Sequence, residues 1–385
     1  VRILHTSDWH LGLKLGGHDR TDELFNQVER ICQLTEEHNA DVLLVAGDVF
    51  VKPDIDVTKR LADLLSPHVR RGLHVILVRG NHDKPHHFQM MRALLAMEQG
   101  ESERVHVAQT RGIFEVKGVQ FAVVPYPTPE LLEPFRVDVV GVTERHVALS
   151  ARYANLIRAV AGALKPSMPA VFVAHINVAG VTTPSEKELT YDEDIRLGRQ
   201  DLPLLSNLAY VALGHIHQCQ QIDHTVPCWY SGSIDRMDMG ERSDEKCVLL
   251  VDVPKKGAAT ATRVPLESTS FYDFSITSTE LETLGERYQD LDRAFVRLKI
   301  ECDAGDQPVS LQRRAREICR RCLDISFSGE WAPSVSAGSP SCPADFGTTA
   351  LDYLRQIYGD DPDLTALELR AGELLQEVQD ANPAS

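Results

Sequence analysis

Five short apolar runs in this chain each stop at residues able to hold a divalent cation. Asp8 and His10 follow the first, Asp48 the second, Asn81 and His82 the third, His175 ends the fourth, and His215 and His217 follow the fifth. A run such as Val42 to Ala46 before Gly47-Asp48 is the pattern of a parallel strand buried on both faces. In open α/β sheets, ligands gather at the carboxyl ends of such strands. Repetition of one spelling five times points to a single site assembled from distant parts of the chain.

At 385 residues the chain exceeds one ordinary core and implies two domains or more. No apolar run approaches the roughly 20 residues that span a bilayer. The sequence opens directly into a strand pattern with no signal-like region, which predicts a cytoplasmic protein. Eight cysteines, at 32, 219, 228, 247, 302, 319, 322 and 342, are too sparse for a disulfide framework. Cys319-Arg-Arg-Cys322 has the spacing of half a zinc site, but no second CxxC or HxxxH follows it, so the pair reads as ordinary thiols. The formal charge of -16 works against duplex binding by the surface as a whole, because such binding runs on neutralised phosphates and released counterions. A role on nucleic acid would have to draw positive potential from bound metals or a partner subunit.

Up to about residue 215, strands alternate with amphipathic helices, the organisation of βαβ units. The helix expected from Thr21 places Leu24, Val28 and Ile31 on one face, with Thr21, Asp22 and Glu23 suited to the cap and first turn. Short runs between Val105 and Val124 read as antiparallel strands, and a long helix from about Thr143 to Leu164 precedes the strand at Val171. From Tyr210 to about Val264, closely spaced strands read as a second sheet following the first, giving a two-sheet sandwich with its site where loops of both sheets meet. The expected division is a main domain over 1–265, a small α+β domain over 266–328, a Gly/Ser/Pro-rich linker over 329–346 and a helical hairpin over 347–385. In that hairpin Leu351, Leu354 and Tyr358 share one helix face, while Leu364, Leu367, Ala371, Leu374 and Val378 share another. Such faces serve either the chain's own core or a partner's helices.

Taken singly, Asp8 or Asp48 could be a helix cap, His175 a satisfied core histidine and Asn81 a turn residue. Together, Asp8-x-His10, Gly47-Asp48, Gly80-Asn81-His82-Asp83 and Gly214-His215-x-His217 form an ordered set, each behind an apolar run. Mixed carboxylate, imidazole and amide donors without any cysteine suit hard or borderline divalent ions rather than structural zinc. Asp8, His10, Asp48, Asn81, His175, His215 and His217 exceed what one ion requires, so a binuclear site bridged by Asp48 is expected. Two ions roughly 3.5 to 4 Å apart hold an activated hydroxide and offset charge on a phosphoryl oxygen, which implies phosphoester hydrolysis.

These residues resemble those of the calcineurin-like metallophosphoesterases. The opening Ile3-Leu-His-Thr-Ser-Asp-Trp-His-Leu-Gly12 narrows the resemblance to the SbcD family of Mre-type DNA repair nucleases. Further support comes from Val173-Ala-His175-x-x-Val178-x-Gly180, Ser185-Glu186, Tyr210-Val-Ala-Leu-Gly-His-Ile-His217 and Tyr230-Ser-Gly-Ser-Ile-Asp-Arg-Met-Asp-Met-Gly-Glu241. The fold implied is an α/β two-sheet metallophosphoesterase sandwich flanked by helices, with a small capping domain and a C-terminal helical hairpin. The resemblance implies that Asp8, His10, Asp48 and His217 hold one manganese ion and Asp48, Asn81, His175 and His215 the other. It gives His82 the acid role, with Asp83 as its orienter. It further implies DNA as substrate, both double-strand ends and hairpins or single strands. Its implied partners are an SbcC-like ATPase whose coiled coil docks the hairpin, and a second copy in a homodimer within a heterotetramer. One departure is Val51, which stands where Mre-type relatives carry a histidine after the Gly-Asp-x-Phe segment. Two other readings fit parts of the pattern. A metallophosphatase or phosphodiesterase for small molecules or phosphoproteins would use the same site but has no evident need of cap, linker and hairpin. A non-catalytic scaffold would not need the full ligand set and His82.

Overall fold

The computed structural model describes residues 1–51, 55–99, 104–128, 142–183, 195–329 and 369–370. Residues 1–330 form one compact unit; apart from Gly329, Leu369 and Arg370, the linker and the terminal hairpin lie outside the described residues, as does Ser185-Glu186. Two six-stranded sheets carry the fold. In the first, Arg2–Thr6, Val42–Val45, His74–Val78 and Val105–Ala108 run parallel in that order, and Cys247–Asp252 and Thr260–Pro265 add antiparallel strands beside Arg2–Thr6. In the second, Val119–Val124, Ala170–His175, Leu208–Gly214 and Cys228–Tyr230 run parallel, with Gly112–Val116 and Gln220–Ile222 antiparallel at the edges.

The two sheets pack face to face. Ile3, Val42, Leu44, Ile76 and Val251 of one sheet meet Phe121, Val123, Val171, Val173 and Ala212 of the other in a shared apolar layer. On the outer face of the first sheet, helices Thr21–Glu37 and Ile55–Arg70 bury Leu24, Val28, Ile31, Leu61 and Leu65 against Leu4, Leu43 and Leu77. Helix Val142–Gly162 covers the second sheet through Tyr153 and Ile157. Because alternate residues of every inner strand face opposite layers, both faces are apolar and the strands read as continuous hydrophobic runs.

The strands after Tyr210 depart from the sequence reading. They divide between the sheets: Gln220–Ile222 and Cys228–Tyr230 belong to the second, Cys247–Asp252 and Thr260–Pro265 return to the first, and the second sheet already starts at Gly112. An apolar strand carries no label for which sheet it joins when both sheets bury the same layer. The first helix also starts differently. Arg20 is its cap residue, and Asp19 Oδ1 accepts the Thr21 N–H at 2.8 Å, while Asp22 and Glu23 do occupy the first turn.

A parallel sheet of Phe271–Thr277, Phe295–Cys302 and Arg321–Gly329 follows, covered on one face by short helices and Pro308–Ile318. Thr277 caps the helix Ser278–Leu281 in a capping box with Glu280. Cys319 packs in the apolar layer of this small unit. The small sheet is held to the main sandwich by Arg20, which is fully buried. Its guanidinium donates to Asp235 at 2.7 Å and to Thr269 Oγ1 at 3.0 Å and lies 5.1 Å from the Phe295 ring centroid. Asp235 answers a charge that would otherwise be stranded in apolar surroundings.

Between the sheets His5 lies fully buried, its Nδ1 3.0 Å from the Tyr210 hydroxyl. Burial pushes its imidazole down from 6.5 to about 3. The folded ring therefore stays neutral where the unfolded ring takes up a proton. The stability contributed by this difference is present above pH 6.5 and is lost as pH falls toward 3, about 2 kcal/mol of it by about pH 5. His5→Gln is expected to lose less stability than wild type, by that amount, between about pH 7.5 and about pH 5 in urea unfolding. Equal losses in the two proteins would remove His5 from the acid response.

Candidate metal centre

The carboxyl ends of the parallel strands in both sheets open at one edge of the sandwich, and the chain leaves them in strained turns. Asp8, His10, Asp48 and His215 have φ of 52°, 48°, 51° and 98°. These are four of the six non-glycine residues with positive φ among those described. Left-handed backbone at such residues costs on the order of 1–3 kcal/mol each and persists where the surroundings hold it. Here backbone bonds do so: Asp8 N–H donates to Gly47 O and His10 N–H to Asp48 O, each at 3.0 Å. The His215 N–H donates to Asp8 Oδ2 at 3.1 Å.

All seven residues expected as ligands converge there, in two halves. On one side His10 Nε2 and His217 Nε2 stand 3.0 Å apart, with Asp8 Oδ1 4.0 Å from each. On the other, Asn81 Oδ1 lies 2.9 Å from His175 Nε2 and 3.1 Å from His215 Nδ1. Asp48 Oδ2 faces both halves, 3.4 Å from His175 Nε2 and 3.9 Å from His10 Nε2. Donor sets of three within 4.8 Å are Asp8, His10, His217; His10, Asp48, His82; and Asp8, Asp48, His175. His82 stands at the mouth: its backbone N–H donates to Asp48 Oδ1 at 2.9 Å, its Nε2 lies 3.9 Å from Asp48 Oδ2, and its side chain is 38% exposed.

The donor chemistry fits bound cations. His175 Nδ1 lies 2.8 Å from the Ala46 carbonyl and His217 Nδ1 2.7 Å from Glu241 Oε1. Both partners only accept, so each Nδ1 carries a proton, and each Nε2 turns inward, with a lone pair when its ring is neutral. The inward neighbours of those lone pairs, Asn81 Oδ1 and a second imidazole, are acceptors or can be. Acceptors facing acceptors at such distances need a positive charge among them. In the protein alone that charge is a proton. Burial opposes it on His175, but the carboxylates of Asp48 and Asp8 prevail and raise the ring to about 9. Burial likewise opposes the Asp48 anion, yet the surrounding imidazoles hold its carboxyl well below the ordinary range. His10 is driven well down, by burial first and then by neighbouring histidines against the pull of Asp48.

Three supporting residues escaped the sequence reading. Glu241 closes a quoted motif, but nothing in its spacing marked it as the partner of His217. Ser7, beside a ligand, bonds Asp8 Oδ2 at 2.5 Å and Ser231 Oγ at 2.8 Å. Tyr126, in the loop after Val119–Val124, sets its ring 5.7 Å from His215 and 6.1 Å from His175. Asp83 is not aimed as expected. Its buried carboxylate accepts the N–H groups of Phe50 and Gly80 at 2.8 Å and Val49 at 3.2 Å, so it clamps the two ligand loops together through backbone. Burial and the Asp48 charge raise it to about 7. Val51 packs against the core under the helices.

Comparison with known proteins agrees with this geometry. The chain is 28% identical over 280 residues to the SbcD subunit of the SbcCD nuclease of Bacillus subtilis, covering 70% of each chain. It is 29% identical over 291 residues to its Rhodobacter capsulatus counterpart, covering 69% of each. With the Staphylococcus epidermidis counterpart it shares 23% over 309 residues, 78% of this chain and 76% of that one. Residues 1–219, more than half of the chain, match the calcineurin-like phosphoesterase family. With overlapping groups of carboxylate and imidazole donors gathered at the joint edge of two sheets, the chain belongs to the calcineurin-like phosphoesterases and is a binuclear metal-dependent phosphodiesterase.

Proposed function

We propose that this phosphodiesterase is a DNA nuclease of the SbcD type. The observation that carries the reading is the complete donor set with His82 at its mouth, in a chain similar to SbcCD nuclease subunits over about 70% of its length. The ligand sets are Asp8, His10, Asp48 and His217 for one ion and Asp48, Asn81, His175 and His215 for the other, with Mn²⁺ as the working metal. When bound, the two ions supply Lewis-acid charge to the phosphoryl group and a nucleophile at neutral pH. The chain's own residues do the rest. Asp48 ties the two halves at a fixed separation, and Asp83 keeps the loops carrying Asp48 and Asn81 in register. His82, partly exposed at the mouth, hydrogen-bonds the transferring phosphoryl group and protonates the departing sugar oxygen.

The small sheet over residues 271–329 serves as a cap beside the scissile phosphate, and the C-terminal hairpin docks an SbcC-like ATPase through its apolar helix faces. Two such nuclease chains act as a homodimer within a heterotetramer. At a formal charge of -16 the isolated chain binds duplex weakly, and the partner supplies the basic surface. Linear duplex, hairpin and single-stranded DNA incubated with the chain and Mn²⁺, alone and with partner and ATP, test the reading. Cleavage that stops with a chelator is expected. Turnover of bis(p-nitrophenyl) phosphate with no DNA cut in any combination would instead favour a small-molecule phosphodiesterase.

A further inference from the structure

We infer that Glu241 is a positioning residue of the metal centre, holding the His217 imidazole so that its Nε2 lone pair points into the site. The inference rests on the metal-binding part of the proposed function and is independent of the DNA substrate. Glu241 is fully buried, and both of its oxygens are committed. Oε1 accepts from His217 Nδ1 at 2.7 Å. Oε2 accepts from Lys246 Nζ at 2.6 Å, from the Met237 N–H at 3.1 Å and from Ser233 Oγ at 3.3 Å. A carboxylate tied at both ends cannot turn, so the ring it holds cannot turn either.

Lys246 grips the same ligand from behind. Its ammonium donates to the His217 carbonyl at 3.1 Å as well as to Glu241, which links the backbone and the ring of His217 through one buried ion pair. The pair is expensive to bury and is not explained by stability, since well-packed apolar residues of like volume usually serve a core as well. The segment is pinned elsewhere too: Asp235 bonds Arg20, and Met239 packs with Phe271 and Phe295 of the small unit. His175 Nδ1 leans on a neutral carbonyl, whereas His217 Nδ1 leans on a carboxylate. An anionic partner raises the basicity of the opposite ring nitrogen, and loss of such a partner typically lowers metal affinity about 10- to 100-fold.

The test is Mn²⁺ binding to the full chain by isothermal titration calorimetry, without substrate. Glu241→Gln, which keeps shape and removes charge, is expected to weaken Mn²⁺ binding about 10- to 100-fold. In a His217→Ala background the same substitution should add nothing further, because the route through the ring is already gone. Unchanged affinity in Glu241→Gln overturns the inference, and so does an equal further loss in the His217→Ala background, which would mean that Glu241 acts through the fold. If the single variant does not fold, Glu241→Gln combined with Lys246→Met removes the charge pair as a unit. Weakened binding in that protein supports the inference, and wild-type affinity overturns it. A wild-type chain that takes up no Mn²⁺ overturns the reading of the site as well, whereas wild-type binding left intact by the substitution overturns this inference alone.

Discussion

Asp48→Asn is expected to abolish phosphodiester cleavage, by on the order of 10³-fold or more, and to remove the stabilisation that Mn²⁺ gives the wild type. Asp48 faces both halves of the donor set, 3.4 Å from His175 Nε2 and 3.9 Å from His10 Nε2. An amide in its place offers each half a neutral oxygen where a shared anion stood. The substitution is gentle to the fold. The amide oxygen can still accept the His82 N–H now held by Asp48 Oδ1, and the repulsion that raises Asp83 is relieved. A ligand bound to the native state alone stabilises by about 2.7 kcal/mol at 100 times its dissociation constant. Thermal unfolding with and without Mn²⁺ therefore reads the loss separately from activity. A variant that still gains stability from Mn²⁺ and still cleaves would show that the halves do not depend on Asp48.

The sequence made the site legible and left its supports obscure, for physical reasons that particular residues show. Asp48 and Asn81 announce themselves because the turns after their strands need a glycine just before the donor. A Cβ on Gly47 would sit 2.0 Å from His175 Nδ1, and one on Gly80 2.1 Å from Asp48 Oδ1. Gly-Asp and Gly-Asn-His are thus marks of side chains crossing at close range, and they survive in a linear reading. Glu241 left no such mark. Its partner His217 lies 24 positions away, and the bond between them depends on a loop whose path is set by Arg20 and the small unit. Asp83 misled for a related reason: adjacency to His82 suggested a side-chain partner, but the turn directs its carboxylate toward the backbone of 49–50 and 80. Sheet membership was misread where apolar alternation alone had to decide it, as at Cys247–Asp252, which pairs back to Arg2–Thr6 rather than extending the nearer strands.

His82→Asn should leave Mn²⁺ binding close to wild type and lower DNA cleavage by about 10²- to 10⁴-fold, the usual worth of a positioned general acid. In the proposed ligand sets His82 completes neither half, and its ring is partly exposed beside Asp48. The leaving group separates an acid role from simple binding of the phosphate. A sugar oxygen departing from DNA needs a proton, whereas p-nitrophenolate is a stable anion and departs without one. If His82 supplies that proton, the substitution must slow DNA cleavage far more than hydrolysis of bis(p-nitrophenyl) phosphate. Equal losses on both substrates would assign His82 to holding the phosphoryl group rather than to proton transfer. Undiminished DNA cleavage with metal retained would remove it from the mechanism, and the proton would then have to come from solvent at the open side of the site.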